Sequence, residues 1–145
     1  MFKRAAVLTL LVTALTVSPG KHNYNWLSKK EFKCLVDNVY YEARGEPIDG
    51  QRMVAKVVLN RTKHPDYPDS ICGVVYQPFQ FSWTLKKQKQ PSGPEYEVAK
   101  YAAMSGMNYP TEAIYYHNAN MRKYPAWAKK QVPITKRGNH IFYAG

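Results

Sequence analysis

The sequence predicts a helix-dominated α+β domain with a small β-sheet. Three observations predict it. A capped amphipathic pattern runs from Ser28 to about Arg44, a second follows from Asp49 to about Thr62, and residues 134–143 read as a closing hairpin. With 145 residues the chain has room for one hydrophobic core, and it shows no internal repeat or low-complexity tract. A single domain over residues 21–145 is therefore expected, behind a leader at 1–20.

The leader reading rests on Met1-Phe2-Lys3-Arg4 as a basic start and Ala5 to Val17 as an uncharged, mostly apolar run. As a helix this run would span ~20 Å, short of the ~30 Å hydrocarbon core, so a secretory leader is expected in place of a permanent span. Cleavage after Gly20 is favoured. A retained leader that contacts the membrane transiently is the alternative. Export would favour a bridge between the two cysteines, Cys34 and Cys72, over two separate buried thiols. With His64 the only histidine in their vicinity, a structural zinc site is not expected.

His22 to Leu27 reads as a lead-in whose Trp26 and Leu27 form a hydrophobic staple. Ser28 and Glu31 have the spacing of a reciprocal capping box. Phe32, Leu35, Val36, Val39 and Tyr40 then recur at helical spacing, and Glu42 falls on the same apolar stripe in the last turn. Gly45 and Pro47 end the helix. Asp49 is read as the cap of a second helix with Met53, Val54, Val57, Val58 and Arg61 on one face. Two prolines make residues 64–69 a loop, and Ser70 caps a short helical piece through Val75. Residues 76–83 read as an extended aromatic loop and 86–94 as an exposed linker. A third long helix is expected from about Glu95 to Ser105, with Val98, Tyr101, Ala102 and Ser105 as its packing stripe and Gly106 as its stop. Residues 112–117 have strand composition and 124–128 read as a helical turn. A turn at Lys136-Arg137-Gly138-Asn139 leads into the last strand, His140 to Tyr143.

Glu42 is the candidate for chemistry. Partial burial and the negative end of the helix dipole both favour its neutral acid, which is what a general acid for a glycosidic bond requires. The alternative is a structural glutamate paired with Arg44, Arg52 or a lysine. No second catalytic carboxylate is evident, because Glu46 lies past the helix break and Asp49, Asp66 and Asp69 fit caps and turns. One glutamate suffices for a lytic transglycosylase, which uses the sugar's own 6-hydroxyl in place of water.

The net charge of +11 attracts polyanions, with nucleic acid, anionic lipid and the acidic bacterial envelope as candidates, and the 14% aromatic content favours a ring-lined cleft. The basic residues are scattered and no nucleic-acid-binding motif is present, so nucleic acid is not the expected partner.

The sequence also resembles the SleB-like cell-wall hydrolases, which include the spore-cortex-lytic enzymes. The resemblance runs through Glu42-Ala43-Arg44-Gly45-Glu46-Pro47, Leu59-Asn60-Arg61, Ile71-Cys72-Gly73-Val74-Val75, Gln80-Phe81-Ser82, Tyr116-His117-Asn118 and Gly138 to Tyr143, in family order. It implies a lysozyme-like fold, peptidoglycan glycan strands as substrate and Glu42 as the catalytic acid; separately, His117 and His140 without a third ligand do not define a metal site, and no cofactor is expected. The resemblance further implies a groove formed by Gln80, Phe81, Ser82, Tyr116, His117 and Asn118, and Glu46 beside it is read either as binding substrate or as pairing with Arg52 or holding the loop. The chain looks like a monomeric, exported endolysin or housekeeping wall enzyme. A hydrolytic muramidase using the same acid, and a noncatalytic cationic envelope-binding protein, are the alternatives.

Overall fold

A computed structural model describes residues 27–145. The proposed leader and Trp26 lie outside the described residues. Helix α1, Lys29–Ala43, starts where Ser28 Oγ accepts the Glu31 backbone N–H at 3.1 Å. The reciprocal half of the expected capping box does not form. Glu31 instead accepts the backbone N–H of Cys72 at 3.1 Å, because the Cys34–Cys72 disulfide brings the start of α3, Ile71–Val75, against the first turns of α1. Ser70 caps α3 through Gly73 N, as its position predicts. The α1 stripe is buried at Leu35, Val36 and Val39, and Gly45 takes the left-handed conformation that ends the helix, with φ +80°.

Helix α2, Ile48–Thr62, is deeply buried, with Met53, Val54, Ala55, Val57 and Val58 all in the core. Asp49 is not its cap. Pro47 occupies that place, which needs no N–H, and Asp49 sits in the first turn paired with Arg52 at 3.0 Å. Helix α4, Pro94–Gly106, packs on α1 and α2, but of the stripe expected of it only Ala102 is buried in the seam. Val98 and Tyr101 are exposed, and the seam is Ala99, Ala102, Ala103 and Gly106. The two apolar rows are neighbours on the helix, and the close approach to α2 selects the smaller one. A Cβ on Gly106 would lie 2.7 Å from the Arg52 carbonyl oxygen.

The sheet is antiparallel with order β1-β3-β2, formed by Tyr115–Asn118, His140–Tyr143 and Pro133–Arg137. Its turn is tighter than expected, since β2 runs on through Arg137 and only Gly138-Asn139 reverse the chain. The helical turn expected at 124–128 falls at Ala128–Lys130, and a 3-10 turn over Ser82–Leu85 begins within the last residues of the stretch read as extended. Phe142, fully buried, joins the sheet to the helical core and sits opposite Tyr116 in the β1–β3 register. That pairing points Tyr116 toward the end of α1.

Candidate active site

A cleft of about 440 Å³ opens where the last turn of α1, the 80–82 loop and β1 meet. Glu42 is the only carboxylate among the described residues that line it. Its placement follows from the helix: the turn that carries Val39 into the core carries Glu42 to the cleft wall. Tyr116 donates its hydroxyl hydrogen to Glu42 Oε2 at 2.7 Å. Burial raises the Glu42 pKa above its ordinary value, opposed by the Tyr116 hydrogen bond and by the nearby charge of Arg61. The Tyr116 phenol is itself pushed well up, by burial and by the adjacent Glu42 charge, so it stays a hydrogen-bond donor across the neutral range.

Arg61 is held from several sides. Its Nε donates to the Ile114 carbonyl at 2.8 Å, and its guanidinium lies over the rings of Tyr67 and Phe81, at 5.0 Å and 5.4 Å from their centroids. A buried cation stacked in this way presents a fixed positive field to the cleft. Its presence in the apolar period of α2 was the signal in the sequence that it faces inward.

Gln80, Phe81, Ser82, Tyr116, His117 and Asn118 all line the cleft with Glu42. Their settings differ. Gln80, Ser82 and Asn118 are exposed, whereas Phe81 is buried beneath Arg61. His117 is buried too: its Nε2 is 3.0 Å from the Tyr143 hydroxyl and its Nδ1 3.0 Å from the Asn118 carbonyl, so both ring nitrogens are engaged within the sheet. Glu46 is placed elsewhere. Its carboxylate accepts the Asn139 backbone N–H at 2.9 Å and the Asn139 side-chain amide at 3.0 Å, which ties the β2–β3 turn to the segment after α1. Arg52, one partner considered for it, pairs with Asp49 instead.

Sequence reasoning missed Tyr41, Met121, Pro125 and His140 as lining residues. Tyr41 adjoins Glu42 in sequence and was the easiest to find. His140 packs edge-on to the Tyr116 ring at 5.0 Å and burial lowers its pKa, which favours the neutral imidazole. It does not meet His117, because the register pairs Asn118 with His140 and so puts the two histidines on opposite faces of the sheet. Trp127 both lines the cleft and packs against Tyr115 and Tyr143. A larger concavity of about 670 Å³ opens around Lys56, Lys63 and Glu112 and shares no lining residue with the cleft.

Residues 45–143 match the cell wall hydrolase family, Hydrolase_2. The chain is 37% identical over 121 residues to the spore cortex-lytic enzyme of Bacillus subtilis (strain 168), covering 79% of this chain and 38% of that protein. It is 35% identical over 126 residues to the spore cortex-lytic enzyme of Bacillus cereus, covering 85% and 48%. The chain thus spans less than half the length of these curated relatives. Among solved structures it resembles the catalytic domain of the Bacillus cereus SleB protein, with a TM-score of 0.72, 33% identity, and coverage of 87% of this chain and 99% of that one. It also resembles the catalytic domain of the germination-specific lytic transglycosylase SleB from Bacillus anthracis, with a TM-score of 0.66, 32% identity, and coverage of 80% and 95%. The fold is the lysozyme-like one of these domains.

Proposed function

This chain belongs to the cell wall hydrolase family, and from that premise we propose that it degrades peptidoglycan as a lytic transglycosylase, cleaving the MurNAc–GlcNAc bond with Glu42. The family match begins at residue 45, so the role of Glu42 rests on its geometry. The observation that carries it is a single carboxyl group in the cleft, shifted by burial toward its acid form and held by Tyr116.

In this reading the Tyr116 hydroxyl occupies one carboxyl oxygen, and the other carries the proton. Glu42 transfers that proton to the glycosidic oxygen as the C1–O bond breaks. The resulting carboxylate, with Arg61 nearby to limit its cost, stabilises the oxocarbenium-like sugar. It then accepts the proton of the MurNAc 6-hydroxyl as that oxygen bonds to C1. The products are a strand ending in 1,6-anhydro-MurNAc and a strand with a free GlcNAc hydroxyl, and no water is consumed. Exposed Gln80, Ser82 and Asn118 are suited to hold sugar hydroxyls and N-acetyl groups, while Glu46 acts on the site only by fixing the hairpin. The enzyme works as a monomer outside the cytoplasm, reached through a leader at residues 1–20 with at most transient membrane contact. The basic charge suits an endolysin or a housekeeping wall enzyme acting on an anionic wall.

Mass spectrometry of digested wall tests the chemistry. Anhydro-MurNAc ends are expected from the wild type, at a rate lower by about 10²- to 10⁴-fold with Glu42→Gln. Reducing MurNAc ends in their place would convert the assignment to hydrolysis. Undiminished lysis by the variant would remove it.

A further inference from the structure

Beyond the cleft, two further concavities of about 280 Å³ and 340 Å³ lie beside it, and Tyr41 lines all three. The floor of the smaller one, which Trp83 lines with Tyr41, is built rigidly. Tyr41 stacks on Trp83 at 4.7 Å between centroids, Trp83 Nε1 donates to Asn38 Oδ1 at 2.9 Å, and the Tyr41 hydroxyl donates to the Lys89 carbonyl. These contacts pin the 83–90 segment onto α1 and hold Lys86, Lys87 and Lys89 around the aromatic pair.

The charge there is uncompensated. Asp37 is the only carboxylate among the described residues lining either concavity, and its two oxygens already accept from Lys33 and, at 2.9 Å, from the Tyr96 hydroxyl. Lys86, Lys87 and Lys89 are exposed, and none joins an ion pair among the described residues. Three unpaired ammonium groups over a ring floor fit a ligand with several carboxylates on a short, partly aliphatic chain. Neutral N-acetylated sugars supply no such group.

We propose that this lysine-rimmed groove is a subsite for the acidic stem peptide of the glycan strand held in the cleft. The inference rests on the proposed peptidoglycan reading. Its physical basis is continuity: the lactyl-linked peptide is the anionic substituent of the same strand, and Tyr41 is the wall between the sugar path and the lysines. The phosphates of a wall polymer are the other source of anions with similar chemistry.

The test is titration of the full chain, carrying Glu42→Gln to prevent turnover, with three probes. These are a GlcNAc–MurNAc disaccharide bearing an L-Ala–D-Glu–diaminopimelate–D-Ala tetrapeptide, the same disaccharide without peptide, and poly(glycerol phosphate). The peptide-bearing probe should bind more tightly than the bare disaccharide. Combined Lys86→Gln, Lys87→Gln and Lys89→Gln should weaken its binding about tenfold, while a charge-matched control at Lys30, Lys63 and Lys136 should cost less than about twofold. Equal affinity for the two disaccharides, equal losses in the variant and the control, or a loss confined to the phosphate polymer would overturn the subsite. A peptide preference retained by a chain whose wild type cleaves no wall would leave the subsite standing and remove the catalytic reading. Cleavage without peptide preference would do the reverse.

Discussion

Glu42 titrates in a setting made by residues far from it in sequence. Burial favours its neutral form, and the Tyr116 hydroxyl and the Arg61 charge favour the anion. Tyr116→Phe removes one of the two restraining contributions, so the pKa of Glu42 should rise further. Because the proposed acid must be protonated in the free enzyme, the alkaline limb of kcat/KM against pH should move to higher pH. A limb that stays in place or moves lower would contradict the coupling. Stability carries the same sign. A carboxyl whose folded pKa lies above its unfolded value binds its proton more tightly in the native state, so its contribution is fully present at low pH and is lost as pH rises through the folded pKa. Glu42→Gln should therefore remove a decline in Tm that the wild type shows above the ordinary glutamate range, leaving the variant more stable near neutrality. Parallel Tm–pH curves would show that burial of Glu42 has no energetic consequence.

At the level of elements, the two longest helices were legible because their signals are local. Ser28 and the Leu35, Val36, Val39 stripe define α1 within a few turns, and Gly45 ends it without reference to the rest of the chain. Glu31 was not legible in the same way, because its partner is the amide of Cys72, made a neighbour by the disulfide. Replacing both cysteines by serine should lower stability by about 3–4 kcal/mol in the chain-entropy account, read as a shift of the denaturant midpoint at constant m-value. An unchanged midpoint would show that α1 and α3 hold together without it. The face of α4 is only partly legible, for a related reason. Periodicity alone offers both the Val98 row and the Ala99 row, and only the distance to α2 chooses between them. Gly106→Ala should consequently destabilise by about 1–3 kcal/mol, since its Cβ meets a backbone oxygen that cannot retreat easily. A neutral or stabilising result would mean that α2 and α4 separate without cost.

Over the whole molecule, the net charge of +11 draws the chain to an anionic wall whether or not it cleaves. Binding of wild type and Glu42→Gln to intact wall should weaken alike as ionic strength rises from about 0.1 M to 1 M, where the Debye length falls from about 10 Å to 3 Å. Release of soluble fragments should appear with the wild type alone. Clearance by both proteins with no soluble fragments would describe a cationic binder without catalysis. The candidate site itself divides along the same line as the fold. By itself the sequence determined a helix-dominated α+β chain, both long amphipathic helices, the closing hairpin, and Glu42 as an acid on an apolar stripe, because caps, breaks and periodicity act over one or two turns. Only the tertiary structure decided that Tyr116 holds that acid, that Arg61 faces the cleft, that His117 is committed to the sheet, and that Glu46 fastens a turn. Those outcomes depend on contacts across many residues of chain, set by close packing and by one disulfide, and no local pattern encodes which distant group arrives.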